Sequence, residues 1–137
     1  MFNIQEYFGK FHDHPDATQD RKDNAACLIM ACGNLMKLAL ADGVKFQTNP
    51  FTRTIISGQT LGGFRPKDCP QGAPGSSHKE GMGVDLFDPD EDIDDWCLAN
   101  LDKLEACGIY IENPSATPSW SHWTTRAPKS GNRVFLP

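Results

Sequence analysis

The chain has 137 residues, enough for one domain with a single core and too few for two. Thirteen Lys and Arg against eighteen Asp and Glu leave a formal net charge of -5, which argues against a polyanionic partner such as nucleic acid or an anionic lipid surface. No stretch approaches the ~20 consecutive apolar residues needed to cross a bilayer, and the N-terminal MFNIQEYFGKFHDHPD lacks the basic and apolar regions of an export signal.

The elements are read in chain order. Ile4, Tyr7, Phe8 and Phe11 recur at helical spacing and predict a short helix within Phe2 to Phe11. After the polar break at His12 to Pro15, where His12 and His14 read as turn residues, Asp16 with Gln19 three residues on predicts a capping box. The helix it opens should run to about Ala41, close at Asp42-Gly43, and bury Leu28, Ile29, Cys32, Leu35, Met36 and Leu40. Arg53 to Ser57 reads as a strand, followed by a long Gly/Pro/Ser-rich loop, QTLGGFRPKDCPQGAPGSS, of the length that usually carries function or moves.

Val84 to Phe87 predicts a second strand. The acidic run DPDEDIDD reads as a helix start, because carboxylates favour the positive end of the helix dipole, with Ile93, Cys97, Leu101 and Leu104 on the inner face and Gly108 as the stop. Ile109 to Glu112, Trp120 to Thr124 and Arg133 to Leu136 are three further strands. Short strands with helices but no regular crossovers predict a single α+β domain over 1–137 with a mostly antiparallel sheet. The five cysteines form no CxxC pair, and Cys27, Cys32, Cys97 and Cys107 lie in apolar helical patterns, so they read as reduced core residues.

The informative stretch is Ser76 to Asp85, SSHKEGMGVD, taken with His122 on the strand that begins at Trp120. Two imidazoles and one carboxylate form a mixed nitrogen and oxygen donor set suited to zinc, and three protein ligands leave one tetrahedral position open, as catalytic sites do. Spacing alone equally admits three unrelated residues: a loop histidine, a strand-end aspartate and a strand histidine. Trp120 and Trp123 are expected to alternate away from His122 and to pack beneath it.

SSHKEGMGVD resembles the signature SxHxxGxAxD of the zinc D-alanyl-D-alanine carboxypeptidases, the vancomycin-resistance dipeptidases and the phage L-alanyl-D-glutamate endolysins. Ser76, His78, Gly81 and Asp85 match, and Gly83 stands at the alanine. Trp120-Ser121-His122 is similar to the second motif of that family, and the ordered likeness covers about 60% of the chain, from Ile56 onward. The resemblance implies the fold of hedgehog signalling domains, a twisted and mostly antiparallel sheet with helices packed on one side. It also implies one zinc ion on His78, Asp85 and His122, and hydrolysis of peptide bonds in peptidoglycan stem peptides or crosslinks. A protein without its own export signal would be made in the cytoplasm and reach the wall by a phage-type route or on a virion.

The chain departs from the family in two places. Where the family has a general base three residues before the last ligand, this chain has Ser119, whose hydroxyl is too weak a base for the task. Glu112 is the substitute expected from its place at a strand end. The arginine expected soon after Ser57-Gly58 is absent, leaving Arg65, with Ser76, as the expected contacts to substrate. Glu80, between the first two ligands, should point away. The alternative implied by Ser119 is a weak or inactive family member that acts as a wall-binding module or phage structural component.

Overall fold

A computed structural model describes residues 1–137 as an α+β fold of four helices and a four-stranded mixed sheet. The first helix, α1 (Ile4–Phe8), is capped by Asn3 in a reciprocal box with Glu6, and Gly9–Phe11 continues as a 3₁₀ turn, so the expected single helix is split. The long α2 (Gln19–Ala41) starts one cap later than expected. Thr18 accepts the Arg21 N–H, and Asp16 instead takes the Lys67 N–H across the chain at 2.8 Å.

By length and composition alone α2 is long and apolar enough to cross a membrane, a test that a core helix also passes. Here its Ala25, Leu28, Cys32, Leu35, Met36 and Ala39 enter the core, while Leu40 is exposed and Ile29 only partly covered. Cys27 is exposed too, so one of the four cysteines assigned to the core lies outside it; all five are free thiols.

The sheet order is β1 (Gly83–Phe87), β3 (Trp120–Thr124), β2 (Tyr110–Glu112), β4 (Val134–Phe135). β3 lies antiparallel between β1 and β2, and β4 runs parallel to β2, a direction that composition did not indicate. Val84, Leu86, Ile111 and Trp123 are fully buried on one face and join the buried residues of α1 and α2 in a common core. The other face holds the cleft described below.

Two expected elements changed. RTIIS forms only an isolated bridge, Ile56 to Leu86, with Ser57 N–H on the Asp85 carbonyl and Phe87 N–H on the Ile55 carbonyl, because left-handed backbone at Arg53 (φ +58°) and Gly58 (φ +74°) turns the chain out of extended conformation on either side. The helix after the acidic run breaks at Asn100 into α3 (Asp92–Ala99) and α4 (Leu101–Cys107). The Asn100 side chain donates to the Trp96 carbonyl, closing α3, while its own carbonyl receives Lys103 and Leu104 N–H. The change of axis turns Leu101 outward, and Ile93, Cys97 and Leu104 remain fully buried. The acidic run does start a helix: both Asp88 carboxylate oxygens accept backbone N–H groups, from Ile93 and Asp94, at 3.0 Å.

Candidate metal centre

Register places the site. Asp85 and His122 are direct partners across β1 and β3, and continuing the β2–β3 register from Ile111↔Trp123 sets Glu112 opposite His122 on its other side. Glu112 in turn pairs with Phe135 on β4, so Asp85, His122, Glu112 and Phe135 form one row across one face of the sheet. The Asp85 N–H and C=O bond to Gly62 and Ser57, away from β3. Asp85 and His122 are therefore a pair without mutual backbone bonds, the closer kind, whose side chains meet most easily. His122 Nδ1 lies 2.8 Å from Asp85 Oδ1.

His78 arrives from outside the sheet, on a 3₁₀ turn (Ser77–Glu80) between the long loop and β1. Ser76 caps the turn by accepting the His78 N–H, and Gly81 ends it in a left-handed conformation (φ +75°) that disfavours a side chain. His78 Nδ1 lies 2.8 Å from the Gly63 carbonyl, which can only accept, so Nδ1 donates there and Nε2 is the atom turned toward Asp85. That Nε2 lies 3.2 Å from the same Asp85 Oδ1 that meets His122. His122 directs its other nitrogen, Nε2, to the Ser77 hydroxyl at 3.3 Å. Three donor atoms thus converge while the opposite ring atoms are held by outer partners, and this buried group can hold a metal ion.

The segment Gly62 to Arg65 is the scaffold. Its carbonyls receive the Asp85 N–H and the His78 ring, its Arg65 N–H donates to the His78 carbonyl, and Phe64 N–H anchors it to the Tyr7 carbonyl. A side chain at Gly63 would collide with the Tyr7 carbonyl, and one at Gly62 with the Ser57 carbonyl. Tyr7 hydroxyl donates to the Gly83 carbonyl at 2.9 Å, tying α1 to the start of β1. The aromatic N-terminus thereby supports the site as well as the core.

Asp85 is buried, and burial alone would push its carboxyl up. The surrounding charge and hydrogen bonds of His78 and His122 outweigh that and hold it far below the usual carboxylate range. Its second oxygen, Oδ2, pairs with Arg65 Nη2 at 3.1 Å, and Arg65 Nε is fixed to the Leu61 carbonyl at 2.7 Å. Arg65, expected as a substrate contact, lines the cleft and pairs its guanidinium with the Asp85 carboxylate. Arg65→Gln should leave the chain folded and weaken divalent-metal affinity by roughly 10 to 100-fold, the usual cost of an outer partner. Competition against a chromophoric chelator measures this, and an unchanged affinity would refute the outer-partner role.

The three converging residues sit in a cleft of about 620 Å³ that Arg65, Ser76, Ser77, Glu112, Trp120 and Phe135 also line. Glu112 is half-buried, and burial raises its carboxyl above the ordinary value although the His122 ring pulls the other way. Trp120 corrects an expectation: two residues from His122, it shares that face and walls the cleft, and only Trp123 packs underneath. Glu80 does point away, onto Arg126 at 2.9 Å.

His14 groups with Asp16 and Asp68 at a more exposed spot, yet its Nδ1 already accepts the Asp16 N–H and Asp16 accepts from Lys67, which is turn work. Sequence reasoning missed Ser77 and the Gly62-Gly63 doublet. The paired glycines ahead of the motif were the only signal for the second. Comparison with family models, curated proteins and solved structures finds no match.

Proposed function

We propose that this chain is a zinc metallopeptidase with the hedgehog-like, D,D-peptidase fold, hydrolysing peptide bonds in peptidoglycan stem peptides or crosslinks. The observation that supports this most is the convergence of His78 Nε2, His122 Nδ1 and Asp85 Oδ1 on the floor of an open cleft. Two imidazole nitrogens and one carboxylate oxygen, each with its back atom secured, match the donor chemistry of catalytic zinc and not the all-oxygen sets of calcium or magnesium. Zinc held there would supply a Lewis acid that polarises a peptide carbonyl and acidifies water.

The chain's own groups do the rest. Gly63 and Ser77 orient the two rings, and Arg65 neutralises the outer oxygen of Asp85 so that one charge faces the ion. Glu112, beside His122 with a carboxyl raised by burial, would take a proton from the attacking water and return it to the leaving amine. Trp120 and Phe135 give the cleft an apolar end.

One observation favours a second reading, a weak or inactive member that serves as a wall-binding or phage structural protein. Ser119 has a left-handed backbone (φ +72°) and does not line the cleft, so nothing acts from the place where the resembling family keeps its base. The deciding experiment incubates zinc-loaded protein with muropeptides and reads the products by mass. New termini at one stem or crosslink bond support the enzyme, whereas binding without cleavage moves the case to the second reading.

A further inference from the structure

The most anomalous side chain in the molecule lies on the reverse side of the sheet from the metal centre. Asp94, in the first turn of α3, is 1% exposed, and neither carboxylate oxygen has a hydrogen-bond partner. Buried carboxylates are ordinarily paired, because an unpaired charge out of water is far costlier than the neutral acid. The group that acts on it from β3 is the Ser121 hydroxyl, which already receives the Trp123 indole N–H at 2.9 Å. Ser121 is the residue before His122, and alternation along a strand turns one inward as the other faces the cleft.

We infer that Asp94 is a positioning residue for the metal centre, a carboxyl held neutral behind β3 whose ionisation unseats the strand that carries His122 and so couples metal binding to pH. The inference rests on the metal-centre reading above. The charged groups that act on Asp94, namely Asp88, Glu91 and Asp95 from its own segment, all oppose a negative charge, and the buried Cys97 thiol one turn on is held neutral. From β3 the Ser121 hydroxyl acts on it, and the charges named beside it are all carboxylates.

Burial is the largest influence; the Ser121 hydroxyl opposes it, and with the neighbouring carboxylates the balance pushes the Asp94 carboxyl up to about 7. The sign follows. Stability from the neutral form is fully present below the ordinary carboxylate range and is lost as pH rises through the raised value, where the ion forms without a partner. Relief requires α3 or β3 to open toward water, and β3 carries the ligand.

The test uses the full chain. In wild type the Trp123 indole N–H resonance, reporting through Ser121, should titrate with a midpoint near 7, and Asp94→Asn should abolish that step. The ratio of the zinc Kd of wild type to that of Asp94→Asn should rise from near one at about pH 5.5 to roughly tenfold at about pH 8.5, the low end of what an outer partner contributes. A constant ratio, or a Trp123 titration that persists in Asp94→Asn, overturns the inference. Should that variant fail to fold, the Asp94 carboxyl carbon of wild type decides, and a midpoint in the ordinary carboxylate range overturns it. No zinc uptake at any pH also overturns the coupling; a surviving Trp123 titration would then trace the failure to the metal-centre reading.

Discussion

Replacing His122 by alanine should abolish stoichiometric zinc binding, lowering affinity by well over the ~100-fold that losing an outer partner costs. Three features make this the largest effect on the metal. His122 supplies one of only three converging donors, its Nδ1 is the donor nitrogen nearer to Asp85 (2.8 Å against 3.2 Å for His78), and it sits on a strand paired on both sides.

Ser77→Ala supplies the graded control, since it removes only the contact at His122 Nε2 and should lower affinity modestly. Because the ligands join a loop turn to two strands, zinc should also stabilise the folded chain by linkage. At free zinc near 100 times Kd the gain is about 2.7 kcal/mol, worth roughly 10 °C in a domain of this size. Metal analysis after dialysis and melting curves with and without chelator read both. A His122→Ala protein that keeps one zinc per chain, or a wild-type melting curve indifferent to chelator, would remove the metal centre from the account.

The second large effect is on rate. Glu112→Gln should retain zinc and fold while losing ~100 to 10,000-fold in hydrolysis, the range for removal of a general acid-base group. The substitution keeps the shape of a side chain that is half-buried beside His122, so the loss would be one of proton transfer and not of packing. Ser119→Glu discriminates the competing reading. If the chain is a weakened enzyme lacking its base, that variant should raise hydrolysis while Glu112→Gln changes little. The left-handed backbone at Ser119 is unfavourable for any residue with a Cβ, serine included, so stability is measured alongside rate. Wild-type protein inactive on every stem peptide, with neither variant altering that, would favour the wall-binding or structural reading.

How much of this was legible before the structure depends on the range of the interaction responsible. Periodicity and local chemistry determined α2 to Ala41, β1 and β3, the long loop, and the acidic helix start, because each depends on residues within a few positions of one another. Spacing could not separate His78, Asp85 and His122 from three unrelated residues; the motif resemblance singled them out, with Glu112 as the expected substitute base, and the structure brings all four to a single cleft. Tertiary structure alone decided what they do there. The register of β1 on β3 put Asp85 against His122, a slip of one residue would have sent one of them to the core, and no local propensity encodes that choice. The parallel pairing of β4, the break at Asn100, the Arg65 guanidinium on Asp85 and the Gly63 carbonyl under His78 depend on contacts between segments far apart in sequence or on a side chain's choice among backbone partners. Asp94 makes the same point in reverse: within DPDEDIDD it reads as one more helix-start carboxylate, and only the packing of α3 beneath Ser121 removes it from water.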